Sequence, residues 1–227
     1  MLTNRQKDIL NIIVEHYTDK AQAVSSELLA QALGVSSATI RNDMAAMTED
    51  GFLMQPHTSA GRIPSEKGWQ YYIAEFLDQD QSVPQKELSA LEEVLKSHAD
   101  KRLQSKALAK HISALSNNAV IVAFSPRDVY YTGLTNLFSQ PEFHEMQSVV
   151  HISQVIDHLD DVIVNIFEAI DDITIAIGRQ NPFSPECSVV MTNVMLDDTK
   201  GLISILGPMR MRYDHNYALL KTIRDLV

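Results

Sequence analysis

The run Gly34-Val35-Ser36-Ser37-Ala38-Thr39-Ile40-Arg41-Asn42-Asp43-Met44 sets the organisation of this chain. Ser36 or Ser37 caps a helix that continues to about Glu49 and is stopped by Asp50-Gly51. On that helix Ile40, Met44 and Met47 fall on one stripe, at i, i+4 and i+7. Ser37, Ala38, Arg41, Asn42 and Ala45 are left on the opposite face. Upstream, a helix from about Ser25 to Leu33 is ended by Gly34. Two short helices meeting at a tight glycine turn, the second opening on a polar face, make a helix-turn-helix. In that motif the second helix reads base edges with its N-terminal residues.

On the N-terminal side, Thr3 and Gln6 form a capping-box pattern, and Ile9, Ile13 and Tyr17, with Leu10 and Val14 beside them, repeat at helical spacing. Downstream, Phe52 to His57 reads as a strand, and Thr58-Ser59-Ala60-Gly61 as a turn with its glycine where a positive φ is needed. Arg62-Ile63 returns as a second strand closed by Pro64, and Ser65 caps a helix carrying Trp69, Tyr72, Ile73, Phe76 and Leu77. Helices followed by a hairpin with a cation, Arg62, at its tip make a wing. Residues 1–78 therefore read as a winged helix-turn-helix DNA-binding domain.

Asp78-Gln79-Asp80-Gln81-Ser82-Val83-Pro84 is a linker, and residues 86–116 read as two helical pieces meeting near His98-Ala99-Asp100, so that 79–117 form a helical connector. From Ala119 the period falls to two. Candidate strands are 119–124, 129–133, 172–177, 187–192 and 201–206, with helices at about 142–157, 159–170 and 214–226. Residues 118–227 thus read as an α/β domain on a largely antiparallel sheet, and the whole chain as α+β.

At 227 residues the chain can bury two modest cores. No apolar run approaches the ~18 residues of a membrane span, and the polar start Met1-Leu2-Thr3-Asn4-Arg5-Gln6-Lys7-Asp8 is no signal peptide. One cysteine, Cys187, excludes an internal disulfide and a multi-cysteine zinc site, and a cytoplasmic location is expected. The net charge is −10, and residues 1–77 carry 6 Lys/Arg against 9 Asp/Glu, a net of −3. Such a balance argues against non-specific binding to nucleic acid. Contact with DNA has to come from a few placed cations.

The run quoted above, then Gln55-Pro56-His57-Thr58-Ser59-Ala60-Gly61-Arg62-Ile63-Pro64, closely resembles the heat-inducible transcription repressor family HrcA. Asn136-Leu137 with Pro141-Glu142-Phe143, Cys187-Ser188-Val189-Val190 and Gly207-Pro208-Met209-Arg210-Met211 are similar to that family's C-terminal motifs. The resemblance implies a GAF-like second domain and a repressor that binds, as a dimer, an inverted-repeat operator upstream of chaperone genes. It also implies dependence on the chaperonin. Family members are usually longer, with a dimerising segment inserted in the GAF-like domain. Here Phe124-Ser125-Pro126-Arg127-Asp128 joins two strands at the expected place of that insertion.

The candidate DNA contacts are Ser37, Ala38, Thr39, Arg41 and Asn42 on the recognition helix and His57, Thr58, Ser59, Arg62 and Lys67 on or beside the wing. Arg can pair bidentately with guanine and Asn with adenine. The competing reading of Arg41 is a solvated face with pairing to Asp43 or Glu49. Arg62 is suited to a minor groove or a phosphate, or else is an ordinary surface arginine. Thr58 and Ser59 suit turn formation as well as phosphate contact. Lys67 is divided between phosphate and solvent.

His144, His151 and His158 recur every seven residues, but on one helix successive members lie about 10.5 Å apart, too far for one metal ion. Cys187 reads as inert packing in a buried strand. No nucleophile–base pair, phosphate-binding loop or metal spacing stands out, so no catalysis and no cofactor are expected. The apolar stripe Leu88, Leu91, Val94, Leu95 is a candidate dimer contact for a weak homodimer that firms up on operator DNA. Two alternatives stand beside the repressor: a winged-helix regulator controlled by a small ligand in its GAF-like domain, and a chaperonin-binding interaction protein.

Overall fold

In the computed structural model of the chain, Thr3 closes a capping box with Gln6 and starts α1, Asn4–Lys20. The structure describes residues 2–58, 60–143, 146–196 and 199–227, and of 146–149, 151 and 152 the backbone alone. It divides into two units, Met1–Leu77 and Asp78–Val227.

In the first unit, Ser25 caps α2 (Ser26–Leu33), and Gly34 ends it in the left-handed region with φ 67°. Ser36 caps α3 (Ser37–Glu49). The expected stripe Ile40, Met44 and Met47 is buried with Ile9, Leu10, Ile13 and Leu29. Burying each such side chain contributes about 1.5–3 kcal/mol, so this stripe fixes the roll of α3. The hairpin is shorter than expected: β1 (Leu53–Met54) pairs antiparallel with β2 (Ile63–Pro64) in the register Leu53↔Pro64 and Met54↔Ile63. Pro64 is the last residue of the second strand and so closes it as expected, while still pairing with Leu53. α4 (Glu66–Phe76) is capped by Ser65 and buries Trp69 and Tyr72.

Gly61 does not take the positive φ expected of it. Its backbone passes against the Val24 carbonyl oxygen, where any Cβ would collide.

The second unit begins with α5 (Gln85–Lys96) and α6 (Lys101–Ser116), the latter capped by Asp100. Its sheet holds β3 (Ala119–Ser125), β4 (Asp128–Thr132), β5 (Thr174–Ile177), β6 (Cys187–Leu196) and β7 (Thr199–Pro208). Their order is β4-β3-β7-β6-β5, antiparallel throughout. Alternate residues Ile121, Val189, Met191 and Leu202 share one core with Leu137, Phe143, Leu159 and Ile163. Their neighbours Val120, Val122, Val190 and Ile203, on the other face, are equally buried. The sheet is therefore covered on both sides.

Helix α7 (Leu134–Phe138) escaped the sequence reading because it is one short turn entered through Gly133 at φ 77°, with no side-chain cap. α8 (Met146–Asp157) and α9 (Leu159–Ile166) follow, and α10 (Tyr213–Leu226) ends the chain. The stripe Leu88, Leu91, Val94, Leu95 faces its own unit: α5 packs on α6 and α10, and Leu91 is fully buried.

At the place of the expected insertion, Ser125 pairs with Asp128 over Pro126-Arg127. Arg102 closes this turn, binding both Asp128 oxygens at 2.5 Å and lying 4.3 Å from the Phe124 ring centre.

The C-terminal motifs meet in three dimensions. Asn136 donates to the Ser113 carbonyl at 3.1 Å, and the guanidinium of Arg210 pairs with Glu142 and donates to Gln140 at 2.7 Å. The Arg210 and Glu142 side chains are only 11% and 25% exposed, so removing one leaves the other charge poorly solvated. Arg210→Ala should lower unfolding stability by up to about 3 kcal/mol. Chemical denaturation followed by far-ultraviolet circular dichroism reads this, since the one tryptophan, Trp69, belongs to the other unit, and an unchanged midpoint would show the pair to be dispensable.

Candidate nucleic-acid interface

The N-terminal half of α3 is solvent-facing wherever it does not carry the apolar stripe: Ala38, Arg41 and Asn42 are exposed, and Ser37 and Thr39 half-buried. Several of these side chains are already engaged. The Thr39 hydroxyl lies 2.8 Å from Ser36 Oγ, so it serves the helix cap. Ser37 Oγ lies 3.1 Å from Ser26 Oγ and donates to Glu27 at 3.4 Å. Arg41 pairs with neither Asp43 nor Glu49. Its Nη2 donates to Glu27 at 2.6 Å and its Nε to Ser26 Oγ at 3.2 Å. The Arg41 guanidinium holds the Glu27 carboxyl well below its usual value, at about 2. The Asn42 side chain has no intramolecular hydrogen bond among the described residues, so its carboxamide is available to a ligand.

Asp43 would place a negative charge beside these residues, but Arg5 of α1 takes it in a two-pronged pair of 2.6 and 3.3 Å. Spacing along α3 carries no hint of this partner, 38 residues away.

Arg62 is not at a wing tip. Its backbone pairs with Val24 through two hydrogen bonds of 2.9 Å. Its half-buried side chain donates from Nε to Thr48 Oγ1 at 3.0 Å, tying the base of the wing to the last turn of α3. The expected strand 52–57 ends at Met54, and the segment beyond it is shaped by a side chain: Gln55 Nε2 donates to the carbonyls of Thr58 at 2.9 Å and Ala60 at 3.0 Å. His57 and Thr58 are exposed on this loop, while Ser59 lies outside the described residues. Lys67 donates to the Asp50 carbonyl at 2.7 Å and sits 4.2 Å from the Phe52 ring centre. It thus complements the negative end of α3.

The structure brings Arg41 and Arg62 to one cleft of about 390 Å³, together with Ser25, Ser26, Glu27 and Gly61. Glu27, Ser26 and Gln55 were missed by sequence reasoning. Their partners lie across a helix crossing or around a loop, and periodicity along one element does not report those pairings.

His144 lies outside the described residues, as does the side chain of His151, and His158 follows α8 at 3.7 Å from Asp161. Among the described residues no group of three His, Cys, Asp or Glu could hold a metal ion. Cys187 is fully buried, and burial pushes its thiol up to about 12. No described helix is long and apolar enough to cross a membrane.

Comparison with known proteins places this geometry. Residues 1–67 match the HrcA winged helix-turn-helix transcription repressor DNA-binding domain, and residues 73–216 the HrcA protein C terminal domain. The heat-inducible transcription repressor HrcA of Lysinibacillus sphaericus is 27% identical over 330 positions, covering 99% of this chain and 96% of its own. That of Clostridioides difficile is 26% identical over 334 positions, covering 100% and 98%. These alignments are longer than the 227 residues here, so a segment of each relative has no counterpart in this chain. A solved structure described as a hypothetical protein shares the fold, with TM-score 0.80 at 19% identity over 100% of this chain and 97% of that one. With both domain models matched in order along the sequence, the chain belongs to the HrcA family.

Proposed function

We propose that this chain is a heat-shock transcription repressor that binds double-stranded operator DNA with α3 in the major groove and the wing against the adjacent backbone. The observation that carries the reading is the face of α3: its apolar stripe is buried, and Arg41 and Asn42 stand outward beside Ser37 and Ala38. On this reading Arg41 and Asn42 meet base edges, Ser37, Ala38 and Thr39 line the approach, and His57, Thr58, Ser59, Arg62 and Lys67 serve the sugar-phosphate backbone. Arg62 does so from the base of the wing, where its tie to Thr48 couples wing and helix.

The test is Arg41→Ala in a gel-shift titration against an inverted-repeat duplex drawn from upstream of chaperone genes. The variant loses about 1–3 kcal/mol of operator binding and relaxes its preference at one base pair per half-site. Wild-type affinity for both operator and scrambled DNA would remove α3 as the reader.

An inverted repeat needs two heads related by a two-fold axis. The α5 stripe is turned toward α6 and α10, and the tight turn at Pro126-Arg127 offers no inserted segment. We therefore propose a weak homodimer that the operator makes firm, because bound DNA selects the paired state. Sedimentation should then show a mass falling on dilution without DNA, and two chains per full operator with it. One chain per full inverted repeat would leave a single-headed binder. The family resemblance adds the chaperonin as the partner that sets activity, with the repressor acting in the cytoplasm.

A further inference from the structure

We infer that Glu27 is a specificity-determining residue that acts through Arg41, holding its guanidinium ready for a neutral base edge while discouraging its capture by phosphate. This rests on the reading of Arg41 as a base reader. A guanidinium carries five N–H donors. Here one from Nε goes to Ser26 at 3.2 Å and one from Nη2 to Glu27 at 2.6 Å. The rest are uncommitted among the described residues, enough for a bidentate contact with guanine without breaking the pair.

Glu27 sits in the first turn of α2, where the helix dipole favours its charge, and also accepts from Ser37. It thereby joins the starts of α2 and α3 through two of the residues expected to face DNA. Ser26 braces both, lying 3.1 Å from Ser37 Oγ.

The discrimination is electrostatic. A guanine edge offers acceptors with no net charge, whereas a phosphate brought to Arg41 also meets the Glu27 carboxylate. That carboxylate, held at about 2, stays ionised wherever duplex DNA persists. With residues 1–77 at net −3, non-specific affinity rests on few cations, and keeping one of them from the backbone widens the gap between operator and other DNA.

The experiment compares wild type, Glu27→Gln, Arg41→Ala and the double variant. Each is titrated with the inverted-repeat duplex and with a scrambled duplex of equal length across a salt series. Glutamine keeps the size and hydrogen-bonding oxygen of the side chain, and matched thermal melts confirm that the fold is retained. Glu27→Gln should bind scrambled DNA roughly fivefold more tightly, with a salt slope steeper by about one counterion, because Arg41 is free to neutralise one more phosphate. Operator affinity should change less, so the specificity ratio falls. In the Arg41→Ala background the same substitution should gain much less on scrambled DNA and leave the salt slope unchanged, which shows that Glu27 acts through Arg41.

An unchanged ratio and slope in Glu27→Gln would overturn the inference and leave Arg41 as a reader. So would an equal gain on scrambled DNA in both backgrounds, since Glu27 would then be a plain surface charge. If Arg41→Ala itself leaves operator binding untouched, the base-reading role falls and takes this inference with it.

Discussion

Burial of Ile40, Met44 and Met47 governs the first unit, because it sets the rotation of α3 about its own axis. A helix of 3.6 residues per turn has no freedom left once one stripe is committed to a core. Arg41 and Asn42 must then face outward, whatever else the sequence does. The neighbouring elements hold that seat: Ser36 caps the helix, Gly34 admits the turn before it, and Arg62 and Lys67 bind its C-terminal end. A roll of one residue, about 100°, would bury Arg41 and expose Ile40.

Charge is the second constraint. The first unit has few cations for a DNA-binding domain, and half of its six Lys and Arg side chains pair with a carboxylate: Arg5 with Asp43, Lys7 with Glu75, Arg41 with Glu27. Exposed pairs of this kind add little to stability. Their consequence lies in placement, since each fixes where a positive group stands and how readily it can be drawn away. On the proposed reading such placement favours recognition over general attraction, in keeping with the overall charge of −10.

The parts of the fold that could be read from the sequence are those specified by local chemistry. Thr3 with Gln6, Ser25, Gly34, Ser36 and Ser65 mark helix ends through bonds within a few residues. The alternation from Ala119 onward announced the sheet. The wing was read less well, because Gln55 organises it with a side chain where a longer strand ladder was expected, and because Gly61 answers to the Val24 carbonyl from another part of the chain. At the interface, periodicity alone oriented Arg41 and Asn42. The partners that condition them, Glu27, Ser26 and Arg5, come from across helix crossings, where spacing along one element carries no information. In the second unit the same holds for Glu142 and Arg210, 68 residues apart yet paired.

The central claim is that α3 reads base edges in the major groove on both halves of an inverted repeat. Methylation interference at guanine N7, with the full-length protein on a full operator, tests it most directly. Methylating a guanine at equivalent positions in each half-site should block binding. Binding that is indifferent to N7 methylation and sensitive only to phosphate ethylation would contradict it.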